Sequence, residues 1–180
     1  LVGAFGVEME RTCMEGGLAV KDHPVATQVL QTAPFAQCMR SRLRTSVDFT
    51  TLDKEEAGEP FVQGHDGGWR FARDFPTKPF GWLIYRGSAD HGTISLKVNA
   101  STGGWVRIDY LATYQNMGLV RCWVDGVTPD LFGCDLNGIL VGDHSAVWSA
   151  YIGLPSSLDA QLVRCRSLRG KFKILGLASC

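Results

Sequence analysis

Gly104–Asp125 reads GWVRIDYLATYQNMGLVRCWVD, and each half alternates with the period of a β-strand. Val106, Ile108, Tyr110 and Ala112 fall on one side of the first half, with Arg107, Asp109 and Leu111 on the other. In the second half Val120, Cys122 and Val124 alternate with Leu119, Arg121 and Trp123. Successive side chains of a strand point to opposite faces, so this pattern buries one face and leaves the other outward. The polar stretch Gln115–Gly118 between the halves predicts a short turn, and the whole predicts a hairpin.

Outward from this stretch, short aromatic and branched runs recur between glycines, Asp-Gly pairs and prolines. They predict strands at Trp69–Phe75, Gly81–Arg86, Thr93–Asn99, Ala146–Ile152, Gln161–Ser167 and Lys171–Leu177 beside the two already named. About eight strands without long helices between them predict a mainly β fold, an antiparallel β-sandwich or jelly roll. Upstream, residues 1–20 are glycine-rich and irregular and read as an extended arm. Asp22-His23-Pro24 then resembles a helix start, and apolar residues recur at helical spacing to Leu43, interrupted by Pro34. The expected organisation is an arm and helix over 1–45, an acidic connector over 46–60 and a β-sandwich over 61–180. Because the chain begins at Leu1 and shows no leader-like segment, it reads as a processed or partial product.

Among the 180 residues, 18 Lys and Arg balance 18 Asp and Glu, for a formal net charge of zero. A nucleic-acid binder shows a basic excess or stripe, so that class is set aside. No apolar run reaches the roughly 20 residues of a transmembrane helix. Six cysteines, Cys13, Cys38, Cys122, Cys134, Cys165 and Cys180, include no closely spaced pair of the kind that holds zinc. Two or three disulfides in a secreted or organelle-lumen protein are expected, with reduced core cysteines as the alternative. Asn99-Ala100-Ser101 is a glycosylation sequon, which makes Asn99 a candidate acceptor.

Catalytic patterns are sparse. Ser88, Asp90 and His91 lie within four residues, a spacing that suits a turn better than a triad assembled in space. Asp130, Asp135, Asn137 and Asp143 offer oxygen ligands without the spacing of a calcium loop. No cofactor and no metal is expected. The basic stretches Arg40–Arg44 and Arg164–Lys173 read as solvated faces. Five tryptophans remain, Trp69, Trp82, Trp105, Trp123 and Trp148. Trp105 and Trp123 are out of phase with their apolar neighbours, which places them on a shared outward face with Arg107, Asp109 and Arg121. Outward aromatics beside charges suit a protein partner or a sugar ring.

Lys78-Pro79, Gly81-Trp82, then Tyr110, Leu111, Tyr114, Met117 and Gly118, and the ending GKFKILGL, resemble the C-terminal β region of algal and plant SGNH-hydrolase-like proteins. Gly68-Trp69 and the positions of Cys122, Cys134 and Cys165 add to the resemblance. It implies a β fold over about residues 60–178. The family's Gly-Asp-Ser nucleophile block is missing, and Asp22-His23 echoes its closing Asp-x-x-His motif without the spacing. The resemblance therefore implies no activity for this chain. The leading expectation is a non-catalytic accessory or structural subunit that contacts other protein subunits. The alternatives are a carbohydrate-binding module using surface tryptophans and, last, an esterase remnant.

Overall fold

The computed structural model describes residues 10–13 (backbone only), 45–53, 60–85, 92–100, 104–127, 129, 133–154 and 160–180. Twelve strands lie within them: β1 Glu10–Cys13, β2 Thr45–Asp48, β3 Val62–His65, β4 Arg70–Ala72, β5 Gly81–Ile84, β6 Thr93–Ala100, β7 Trp105–Thr113, β8 Leu119–Val124, β9 Cys134–Asn137, β10 Ser145–Gly153, β11 Ala160–Arg169 and β12 Phe172–Ser179. They form two sheets. One runs β1-β10-β7-β12-β5-β4, with β2 also paired to β12; the other runs β3-β6-β11-β8-β9. Every pairing is antiparallel except β1 with β10. The expected β-sandwich is present. The helix expected before Leu43 lies outside the described residues, as does the 54–59 part of the connector, while Thr45–Asp48 is a strand of the sheet.

Alternation builds the core. Val106, Ile108 and Tyr110 of β7 and Trp148, Ala150 and Ile152 of β10 face Ile94, Leu96, Val120, Val163 and Leu136 of the other sheet. Tyr110 stacks on Phe172 at 5.3 Å between ring centres and meets Trp148 edge-on at 6.3 Å. Edge-on and offset rings of this kind contribute beyond the area they bury. In β12 the inward set begins as Phe172 and Ile174 and resumes at Leu177, because a bulge at Leu175–Gly176 shifts the register by one residue. β12 is the central strand of its sheet, and all eight of its residues are buried.

The hairpin expectation fails. β7 pairs with β10 and β12, whereas β8 pairs with β11 and β9, so the two halves of the 104–125 stretch belong to opposite sheets. Residues 114–118 cross between layers, and the β11-to-β12 turn crosses beside them. Gly118 N–H donates to the Lys171 carbonyl at 2.8 Å, and Gly138 N–H donates to the Gly118 carbonyl at 3.0 Å. A Cβ at Gly118 would lie 1.7 Å from the Arg169 carbonyl oxygen, so only glycine lets the two crossings touch.

Three cysteines form a row across β9, β8 and β11, where Cys134 is in register with Cys122 and Cys122 with Cys165. All three are buried, and Cys122 bonds Cys165 across 4.1 Å between Cα atoms. Cys134 and Cys180 are disulfide-bonded as well. The expected disulfide chemistry is thus present.

Gly118→Ala will destabilise the domain by about 4 kcal/mol or more, roughly 10 °C in Tm. Gly64→Ala, where an added Cβ meets nothing within 4 Å, will leave Tm nearly unchanged. Thermal unfolding followed by circular dichroism checks both.

Candidate functional site

The outer face of the seven-stranded sheet is covered in part by the loop between β4 and β5, residues 73–80. Leu83, Lys173 and Leu175 alternate outward from the sheet yet are each less than 5% exposed, and Lys173 is bonded to the loop. Lys173, expected to be solvated, is the correction that matters most, with 1% of its side chain accessible. A desolvated ammonium needs acceptors and a counter-charge. Lys173 Nζ donates to Asp74 Oδ1 at 3.0 Å and to the Pro79 carbonyl at 2.6 Å. Lys171 Nζ reaches Asp74 Oδ2 at 3.4 Å. Burial alone would push the Asp74 carboxyl up, but the Lys173 hydrogen bond and charge, joined by the charge of Lys171, hold it below its ordinary value of 3.8.

The same loop is braced at its root. Phe71 stacks on Phe80 at 5.2 Å, the Arg73 guanidinium lies 4.2 Å over the Phe80 ring, and Arg73 Nη1 donates to the Pro76 carbonyl at 3.3 Å. Lys78 N–H closes a turn onto the Phe75 carbonyl at 3.0 Å. Two prolines within six residues, Pro76 and Pro79, restrict the backbone further. The loop is therefore a rigid wall, pinned by ions at one side and rings at the other.

Between this wall and the sheet is a small cleft of about 100 Å³, open to solvent. Leu111, Leu175 and Thr113 form its floor, and Ser145 Oγ donates to Thr113 Oγ1 there at 2.9 Å. Phe75 of the loop and Tyr114, next to the end of β7, both line it and are 55% and 48% exposed. Gln115 Nε2 donates to the Tyr114 hydroxyl at 3.1 Å. Asp74, Lys78, Lys171 and Lys173 supply the charges. The cleft is smaller than the usual enclosed ligand pocket and offers an open surface with an apolar base and a few polar groups at its edge.

The residues singled out from sequence do not converge. Trp105, Arg107 and Asp109 lie on the outer side of the seven-stranded sheet, and Arg121 and Trp123 on the outer side of the five-stranded one. The shared outward face expected for the two tryptophans does not exist, because β7 and β8 are in different sheets. All five tryptophans are buried. Trp105 packs edge-on against Tyr151 at 5.4 Å between centres, and Arg166 lies 5.8 Å over Trp123. Arg107 pairs with Asp109 at 3.1 Å; burial opposes its charge, but Asp109 and a Tyr151 hydrogen bond outweigh that and raise its pKa. Arg121 grips Asp135 with two bonds of 2.6 and 2.7 Å. Asn99 is exposed near the end of β6. Residues 88–91 lie outside the described residues. Among those described, no group of three or more His, Cys, Asp and Glu is placed to hold a metal ion, and no helix is long and apolar enough to cross a membrane.

Phe75 and Tyr114 were missed because they were read as strand ends. The signal in the sequence was their place beside turn residues, Asp74-Phe75-Pro76 and Tyr114-Gln115-Asn116, where no core is near to take them.

No family model matches the sequence, and no curated protein matches it. Solved structures do resemble it. A two-domain esterase active on acetylated mannans, co-crystallized with mannopentaose, superposes with a TM-score of 0.52 at 11% identity, over 76% of this chain and 37% of that one. The C-terminal CBM6 of a marine laminarinase from Zobellia galactanivorans gives 0.47 at 11% identity, over 75% and 97%. A variant of a family 29 carbohydrate-binding module gives 0.45 at 14% identity, over 77% and 93%. The first likeness shows a shared β-sandwich fold, and the chain spans about a third of that esterase's length.

Breaking the buried pair with Asp74→Ala strands an uncompensated ammonium and will cost about 3–5 kcal/mol, whereas replacing both partners, Asp74→Ala with Lys173→Met, will cost far less. Because the folded pKa of Asp74 is depressed, the pair stabilises above the unfolded value near pH 4, and this is lost as pH falls through the folded value. Tm measured from pH 6 to pH 2 will therefore fall less steeply in Lys173→Met than in the wild type.

Proposed function

We propose that this β-sandwich is a carbohydrate-binding module whose ligand lies in the cleft between the 73–80 loop and the seven-stranded sheet. The observation that carries the reading is the pair of half-exposed rings, Phe75 and Tyr114, that line one cleft together with polar and charged side chains. A pyranose presents an apolar C–H face that stacks on an aromatic ring and hydroxyls that seek fixed donors and acceptors at its edge. Here the rings supply the first, and Thr113, Gln115, Lys171 and the loop supply the second. The wall is rigid before a ligand arrives, which lowers the ordering cost of binding.

This reading is the alternative expected from the sequence, a carbohydrate-binding module, in place of the leading expectation of a subunit that contacts other proteins. The fold shared with an esterase active on acetylated mannans, beside the sequence resemblance to SGNH-hydrolase-like proteins, supports service to an acyl-ester hydrolase whose chemistry is carried by other residues than these. No catalytic group is assigned to this chain. The Cys122–Cys165 bond supports a secreted or lumenal setting, and exposed Asn99 would accept an N-glycan there.

Affinity electrophoresis through gels containing neutral and acidic polysaccharides tests the reading. The wild type will be retarded by at least one polymer. Tyr114→Ala and Phe75→Ala will each weaken that retardation about tenfold in affinity, a loss of about 1.4 kcal/mol. Trp123→Phe, on the other sheet, will behave as wild type. A wild-type protein retarded by none of the polymers overturns the proposal.

A further inference from the structure

The cleft differs from the rest of the molecule in its charge. The chain as a whole is balanced, yet the cleft is lined by Lys78, Lys171 and Lys173 against Asp74 alone. Elsewhere three arginines pair with carboxylates, Arg107 with Asp109, Arg121 with Asp135 and Arg164 with Asp125, while Arg70, Arg73 and Arg166 lie over aromatic rings. Asp74 is committed first to Lys173, its nearer partner at 3.0 Å, and reaches Lys171 only at 3.4 Å. Lys78 is exposed at the rim and has no carboxylate partner among the described residues. Two positive charges are thus in excess around a partly enclosed space.

From this geometry we infer that the cleft selects glycans carrying an anionic group, a uronate carboxylate or a sulfate ester, which deepens the carbohydrate reading and rests on it. The ring of the charged sugar lies against Tyr114 or Phe75, and its anionic oxygens accept from Lys171 on the sheet and Lys78 on the loop. Charge-assisted bonds of this kind are about twice as strong as neutral ones. They gain further where the sheet and wall exclude water on one side. Lys173, held by two protein acceptors, supplies field rather than a direct contact.

The experiment compares binding of the intact chain to matched polymers by isothermal titration at about 150 mM salt, where diffuse surface attraction is largely screened. The neutral probes are glucomannan and laminarin; the acidic ones are alginate for carboxylate and carrageenan for sulfate. An acidic polymer is expected to bind about tenfold or more tighter than either neutral one, and whichever acidic polymer binds identifies the anion. Lys78→Ala will remove most of that preference, Lys78→Arg will keep it, and Lys97→Ala, exposed on the other sheet, will leave it unchanged. Lys78 is exposed, so its variants report binding without loss of fold, which an unchanged Tm confirms. Equal or tighter binding of a neutral polymer overturns the charge selection and leaves the carbohydrate reading standing. So does a Lys97→Ala loss as large as that of Lys78→Ala. Binding to none of the four polymers overturns both.

Discussion

An ammonium group buried near the start of the central strand sets the terms for this molecule. Lys173 lies between Phe172 and Ile174, whose side chains fill the core, and so must project to the outer side of the sheet. That side is covered there, and the charge is removed from water. Hydrophobic residues of similar size often replace such a pair without loss of stability, so the pair is weak evidence for stability as such. Its consequence is positional. Asp74 and the Pro79 carbonyl must come to Lys173, and they bring both ends of the 73–80 loop against the sheet. The stack of Phe71, Phe80 and Arg73 then fixes the loop from its other side. The cleft wall is thus a product of charge compensation, and its rigidity follows from a constraint located on the sheet.

The sandwich was legible because its long strands alternate cleanly. All eight strands expected from sequence are present, with ends displaced by a few residues. The four that escaped reading, β1, β2, β3 and β9, are each four residues long. β2 and β3 place one buried apolar residue apiece, Val47 and Val62, and two-fold alternation cannot be recognised from a single residue. Their strand state comes from the neighbours they pair with. The false hairpin has a different cause. Alternation tells which side chains point inward, but an inward face is the same for either layer of a sandwich. Whether Tyr114–Gly118 turns back in one sheet or crosses to the other is decided by the Gly118 and Gly170 backbones meeting, at 2.7 Å from the Cβ that Gly118 lacks, and that contact spans fifty residues of sequence.

The site was less legible than the fold, again for a physical reason. Phase placed Trp105 outward correctly, since it opposes Val106 and Ile108, yet outward did not mean exposed. An outer face covered by loops is a second, smaller core, as the cluster of Trp105, Ala178 and Cys180 with Tyr151 shows. Lys173 misled in the same manner: a lysine alternating with core residues reads as solvent-facing until the covering loop is known. Exposure in a sandwich of this kind is a property of loop paths, and loop paths depend on contacts such as Lys173–Asp74 that connect residues 99 apart in sequence. Phe75 and Tyr114 are exposed because they stand where those paths end.

Charge pairing links the wall to what it faces. Since Asp74 neutralises one lysine of the two it touches, the structure of the loop leaves positive potential in the cleft that the loop itself creates. Moving Asp74 away would enlarge that excess and strand Lys173, so the imbalance is built into the way the loop is held. An anionic ligand would be the remaining counter-ion, placed where Lys171 shares Asp74 with Lys173 and Lys78 has no carboxylate partner among the described residues. Binding would then reduce repulsion among the three lysines that folding brings together, and the ligand would stabilise the folded chain by mass action beyond the contacts it makes with the rings. On the proposed reading, fold and recognition would be coupled through the same ammonium group, because the residue that requires the loop also adds charge beside the cleft.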